Sequence, residues 1–145
     1  MSLEELESCR EIEQAMGRYA RALDSRDWAM LDTVFDPAVQ GIYAGQASEP
    51  GRTGIVAGIR SHLDGCGPSQ HLLGNFTASV TGDEAESQTY IRVFHIGKGE
   101  KSHLSFESFG EYDVRWRRTQ AGWRAIRWEL KIFMNLGDIS ILGPA

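Results

Sequence analysis

Four histidines are the side chains of this sequence whose ordinary ionisation lies closest to neutrality, and two of them, His71 and His95, fall within apolar-patterned segments. A histidine can take a proton from carbon at neutral pH. A carboxylate beside it makes it a better base, by fixing the tautomer through Nδ1–H and by stabilising the imidazolium as it forms. Asp24 is one carboxylate in a suggestive place. It closes a long helical pattern, where a negative charge is electrostatically unfavourable. Asp24 or Ser25 can also serve simply as the cap of the next helix. Tyr19 and His95 are candidates to donate a hydrogen bond to a substrate oxygen, or to be core residues whose polar atoms find protein partners. His62 and His103 read as surface residues. Cys9 and Cys66 are far apart and in no ligand-like spacing, so neither a disulfide framework nor a zinc site is expected. Proton abstraction of this kind requires no metal or organic cofactor.

The elements that must position these groups follow from periodicity. Over residues 3–24, Leu3, Leu6, Ile12, Met16, Tyr19 and Leu23 recur at helical spacing, and Ser2 with Glu5 resembles a capping box. A second short helix is expected over 27–35, with Trp28, Leu31, Val34 and Phe35 inward and Pro37 as its stop. Residues 39–43 read as a short strand, and the glycine-rich stretch 44–54 as a loop at a pocket rim. Thr53 is the expected cap of a third helix over 54–63.

From Ser69 the period changes to two, giving strands over 69–80, 87–97, 102–118 and 122–134. His71 shares a face with Leu73, Asn75, Thr77 and Ser79, opposite Leu72, Phe76, Ala78 and Val80. That more polar face can line a wet pocket, meet solvent or meet a second subunit. His95 falls with Ile91 and Val93. Tyr112, Val114 and Trp116 share one face of the third strand, and Trp128, Leu130 and Ile132 one face of the fourth. Helices first and an antiparallel meander after them make an α+β arrangement.

The chain has 145 residues, the size of one ordinary domain, so a single domain over 1–145 is expected. It is 41% hydrophobic and 24% charged, which excludes disordered and fibrous classes. A net charge of −5 argues against nucleic acid as partner, although Arg115, Arg117 and Arg118 cluster locally. The polar N-terminus is no signal peptide and no apolar run approaches membrane length. No membrane association and a cytoplasmic location are therefore expected.

Three segments carry a resemblance. They are Arg18-Tyr19-Ala20-Arg21-Ala22-Leu23-Asp24-Ser25-Arg26-Asp27-Trp28, then Gln70-His71-Leu72-Leu73-Gly74-Asn75, then Glu111 to Thr119 with Gly122-Trp123-Arg124. In this order and spacing the sequence resembles the SnoaL-like branch of the NTF2-like superfamily over nearly its whole length. The resemblance implies a cone-shaped α+β barrel enclosing a small-molecule pocket. It also implies lyase chemistry, since dehydratases and a dehydrochlorinase are members. Asp24 and His71 match the family's catalytic carboxylate and histidine, Tyr19 a catalytic tyrosine, and His95 a second histidine on the next strand. Tyr112 and Trp128 match pocket-wall positions. Two positions depart from the pattern: Trp128 stands where a pocket arginine is found in the dehydrochlorinase, and Val114 where many members carry an aspartate, with Asp113 out of phase.

The expectation is a cofactor-independent lyase or isomerase acting on a small hydrophobic cyclic compound. His71 is its base, Asp24 its orienter and Tyr19 a catalytic donor. His95, Tyr112, Trp128 and Trp28 would contact substrate. The alternatives are a non-catalytic ligand-binding protein of the same shape and a structural subunit of a larger enzyme. A homo-oligomer, dimer or trimer, is expected from an outer sheet face carrying Trp123 and ion-pairing residues.

Overall fold

The computed structural model describes all residues, Met1–Ala145. Helix α1 runs Leu3–Ser25, and Ser2 and Glu5 form the reciprocal capping box at its start. Its buried stripe begins late. Ile12, Met16, Tyr19 and Leu23 are inward, whereas Leu3 and Leu6 are 72% and 53% exposed.

The expected second helix is a single 3-10 segment, Trp28–Thr33, capped by Asp27, whose side chain accepts from the Met30 N–H. Val34 closes the 3-10 turn in a helical conformation, both it and Phe35 are buried, and strand β1 runs Phe35–Tyr43 straight through Pro37. Proline is tolerated there because the β1–β6 register breaks between Phe35 and Gln40, so no ladder bond needs its missing N–H. A two-residue strand, β2 (Gln46–Ala47), folds back on β1 inside the stretch read as a loop. Helix α2 runs Gly51–Leu63 with Pro50 at its cap position, so Thr53 lies within the helix instead of capping it.

Strands β3 (Ser69–Thr81), β4 (Glu84–Ile96), β5 (Ser105–Thr119) and β6 (Gly122–Gly137) form the antiparallel meander. β1 joins the far side of β6 in parallel, giving one mixed sheet in the order β2-β1-β6-β5-β4-β3. The sheet curves around α1 and α2 without closing, which is the NTF2-like α+β cone. No helix is long and apolar enough to cross a membrane.

Three register shifts interrupt the meander, one of them between Phe109 and Gly110, and the other two reset which of the site and core side chains face inward. Between Gly74 and Thr77, β3 advances three residues while β4 advances two, and Asn75 adopts φ 52°. His71 and Leu73 therefore point inward before the bulge, and Phe76, Ala78 and Val80 after it. The unbroken alternation expected for 69–80 does not hold, and His71 lies on the core side. A second shift between Arg115 and Trp116 on β5 brackets Ala125 and Arg127 on β6. It turns Trp123 into the core, 2% exposed, beside Trp116 and Trp128. Trp123 is thus not an outer-face residue. The apolar groups on that face are Leu72, Tyr90, Phe94, Phe133, Met134 and Leu136.

Candidate active site

A cavity of about 560 Å³ lies between α2 and the concave side of the sheet. Leu23, Ile55, Ile59, Leu63, Ile91, Val93 and Leu130 give it apolar walls. The polar groups that reach it are His71 and His95 on one wall, three tyrosines at another, and Gln46, Ser48, His62, Ser108 and Asn135 elsewhere in the lining. An apolar cleft with a small number of convergent polar groups is the usual form of a small-molecule site.

The end of α1 and the start of β3 bring Asp24 and His71 together. His71 Nδ1 lies 2.6 Å from Asp24 Oδ1, and the His71 backbone N–H donates to Oδ2 at 2.8 Å. Ser69 Oγ adds a third bond to the carboxylate, to Oδ1 at 3.0 Å. Burial alone would raise the Asp24 carboxyl. The side-chain and backbone bonds from His71, with that from Ser69, outweigh it and hold the carboxyl below the ordinary range. Asp24 is therefore ionised at neutral pH, and Nδ1 is the donor to it. In the neutral ring this leaves Nε2 as the acceptor nitrogen, and the side chain is 5% exposed. Asp24 does not cap the following 3-10 segment, since Asp27 does.

His95 sits diagonally across β4, its ring 6.1 Å from that of His71 and nearly perpendicular to it. Its Nδ1 lies 2.9 Å from the Phe106 carbonyl oxygen, which can only accept, so Nδ1 carries the hydrogen. Burial lowers the ring's affinity for a second proton, against the pull of that carbonyl, with the neighbouring His71 and Arg26 adding to the lowering. A neutral His95 presents Nε2 as an acceptor. That nitrogen can take a hydrogen bond and has none to give.

Tyr19, Tyr43 and Tyr112 form a chain of hydroxyls. Tyr112 donates to Tyr19 at 3.2 Å, and the Tyr19 and Tyr43 oxygens are 2.8 Å apart. Burial raises all three phenols well above their ordinary range, so each keeps its proton at neutral pH. With Tyr19 passing its hydrogen to Tyr43, the Tyr43 hydroxyl is left free to donate into the cavity.

Two expected contacts are not in the cavity. Trp128 is fully buried behind the tyrosines, its ring 4.4 Å from that of Tyr19 and 5.2 Å from that of Tyr112. It supports the site from the core because β6 carries it one layer below the lining. Trp28 belongs to a separate surface cleft with Asp32, Arg52 and Arg60, and the Arg60 guanidinium lies 5.6 Å over its ring. Trp28 sits on the 3-10 turn that replaces the expected helix, outside the cavity that His71 lines.

Other groups were not singled out from the sequence. Tyr43 shares the inward face of its strand with Val39 and Gly41, which period two would have shown. Ser69 lies two residues before His71, on the same face. His62 is exposed at the cavity mouth, its Nδ1 donating to Gly58 O at 2.9 Å. Asn135, which accepts from Ser108 at 2.8 Å, lies one residue past the expected end of its strand, and Ile139 and Leu142 close the rim beyond it. Asp113 points outward to an ion pair with Lys131, and Val114 is buried on the inner face, so the departure from the family pattern is real in three dimensions.

A cone-shaped α+β fold around a pocket with a histidine–carboxylate pair is the class that fold and site define. The chain belongs to the SnoaL-like family, whose domain matches residues 4–129. An uncharacterized protein of Mycobacterium tuberculosis is 32% identical over 138 residues, covering 94% of this chain and 93% of that one. Among solved structures, a protein of Novosphingobium aromaticivorans provisionally named an aromatic ring hydroxylase superposes with a TM-score of 0.82 at 26% identity, covering 93% of this chain and 96% of that one. A second protein of that organism, provisionally named a scytalone dehydratase, superposes with a TM-score of 0.78 at 22% identity, covering 96% and 93%.

Proposed function

We propose that the protein is a cofactor-independent lyase or isomerase, dehydratase-like, acting on a small and mostly apolar cyclic compound that carries an activating carbonyl. The observation that carries this reading is the Asp24–His71 pair, 2.6 Å apart at the wall of an apolar cavity. His71 Nε2 takes a proton from the carbon next to the carbonyl. The C–H electron pair moves into the ring to give an enolate, whose oxygen accepts a hydrogen bond from the Tyr43 hydroxyl. In dehydration, a hydroxyl on the adjacent carbon then leaves. It takes the proton from the His71 imidazolium and departs as water. In isomerisation, the same proton returns to a different carbon. The SnoaL-like family and the dehydratase name of one neighbour support this class of reaction.

The test is solvent isotope exchange. Cyclic β-hydroxy ketones and cyclic enones are incubated with the protein in D2O and followed by NMR. The expected result is deuterium entering next to the carbonyl with the wild type and not with His71→Ala. Binding without exchange for every compound in the panel would sink the enzyme reading and leave a ligand-binding protein.

We propose also that the outer sheet face pairs with a second copy of the chain. Leu72, Tyr90, Phe94, Phe133, Met134 and Leu136 are all more than a third exposed, and strand register gathers them into one patch. Arg92 and Glu107, paired at 3.1 Å within the patch, balance its charge, so two copies can meet there without repulsion. Light scattering should give an oligomer for the wild type and a monomer for Met134→Glu. A monomeric wild type would refute it. With two free cysteines, Cys9 and Cys66, the reducing cytosol is the compartment we assign.

A further inference from the structure

Arg26 follows α1 with φ 57° and ψ 32°, a left-handed conformation that glycine adopts far more readily at a helix end. An arginine held there calls for a reason beyond the turn. Its backbone N–H does cap the helix, bonding to the Ala22 and Leu23 carbonyls. Its guanidinium does something else. Nη1 donates to Leu23 O at 2.6 Å and to Ser69 Oγ at 2.8 Å, and Nη2 donates to Gly67 O at 2.7 Å. One side chain thus ties the end of α1, which carries Asp24, to the segment leading into β3, which carries His71.

The bond to Ser69 has a direction. A guanidinium has only hydrogens to offer, so Ser69 Oγ accepts from it and its own hydrogen must go elsewhere. That hydrogen goes to Asp24 Oδ1 at 3.0 Å, the same oxygen that faces His71 Nδ1 at 2.6 Å. We infer that Arg26 is a positioning residue for the Asp24–His71 pair, acting through Ser69. It fixes the serine rotor so that the hydroxyl always donates to the carboxylate, and it holds the two carrier segments in register. This rests on the reading of the pair given above. It adds two residues to the site that never touch substrate.

The experiment follows the His71 ring by proton–nitrogen NMR at neutral pH in the full-length protein. Arg26→Gly keeps the left-handed turn, with a residue suited to it, and removes the guanidinium. Ser69→Ala removes only the relay hydroxyl. The wild type should show a protected His71 Nδ1–H. Each variant should exchange that hydrogen with solvent about tenfold faster, with the amide dispersion of the sheet retained. The double variant should be no faster than the faster single one, because both act along one path. Wild-type exchange in Arg26→Gly would leave Arg26 a helix cap and overturn the inference. Should that variant fail to fold, wild-type exchange in Ser69→Ala overturns it equally. A wild type with no Nδ1–H on His71 would instead remove the Asp24–His71 reading itself.

Discussion

One carboxylate holds both the ring and the main chain of one histidine: Asp24 Oδ1 lies 2.6 Å from His71 Nδ1, and Asp24 Oδ2 accepts the His71 backbone N–H at 2.8 Å. Asparagine offers one acceptor oxygen where aspartate offers two. Asp24→Asn must therefore give up one of these bonds or set an amide N–H against a donor. The predicted result is loss of the single Nδ1–H tautomer, seen in the ring nitrogen shifts. Stability should fall by about 1–3 kcal/mol, the cost of leaving a buried donor unmatched. Isotope exchange on any active ketone should slow by about 10²-fold or more, the scale of a general base that has lost its orienter. The sign of the pH effect follows from the lowered Asp24 carboxyl. Its stabilisation is present above the unfolded value near 3.9 and is lost as the pH falls through the lower folded value.

His95 titrates in the same sense but at higher pH. Burial lowers its folded-state pKa below the ordinary value of 6.5, so the unfolded chain takes up the proton first as the medium is acidified. The stabilisation from keeping His95 neutral is full above that ordinary value and declines as the pH drops toward the folded one. Urea unfolding at pH 7.5, 6.0 and 5.0 should show a wild-type loss that His95→Asn partly removes, since an asparagine amide can still donate to Phe106 O but does not titrate. Equal losses in the two proteins would contradict this account.

The tyrosine chain predicts an ordered set of effects. Tyr43 is the terminal donor, Tyr19 the relay and Tyr112 the first donor. Tyr43→Phe removes the hydroxyl that reaches the cavity and should cost about 10²-fold or more in turnover of a ketone substrate, as for loss of an oxyanion donor. Tyr112→Phe removes a neutral bond two steps back and should cost less in turnover than in stability, where about 1 kcal/mol is expected. Steady-state kinetics with parallel thermal melts would distinguish the two. A greater turnover loss in Tyr112→Phe would mean that the chain donates in the opposite direction.

Much of this arrangement could be read from residue types and spacing. Helix α1, helix α2 and the four-strand meander are local patterns of period 3.6 or 2, and they came out within a few residues of their true bounds. The family resemblance placed Asp24 opposite His71, which no local pattern could do, because the two lie far apart in the chain. What escaped were the departures from strict period. A bulge adds one residue without changing composition, so the inward turn of Trp123 and the phase change after His71 were invisible to alternation. The 3-10 turn at Trp28 has the same apolar residues as a short helix but fewer residues per turn, and its ring lies in another cleft. The Arg26–Ser69 relay rests on long-range contacts and has no local signature.

The bulge at Asn75 gives the last prediction. At φ 52° a β-branched residue is strained, whereas asparagine tolerates the left-handed region and glycine suits it. Asn75→Gly should fold with nearly wild-type stability. Asn75→Val should lose about 1–2 kcal/mol if the bulge persists. If the bulge is instead ironed out, β3 must slip by one residue against β4, and His71 or Phe76 must leave the inner face. The sheet would then keep either the His71–Asp24 bond or the burial of Phe76 and Val80, which pack on the core. Burial of Phe76 and Val80 together is worth several kcal/mol, at most about 1.5–3 each since both are partly buried, and exceeds the roughly 1.5–3 kcal/mol of one hydrogen bond to a charged group. A slipped Asn75→Val protein should therefore keep its core and lose the His71 Nδ1–H. Melting curves measure the first outcome and the ring proton–nitrogen spectrum the second. A variant of unchanged stability with an intact Nδ1–H would show that Asn75 is not what sets the phase of β3.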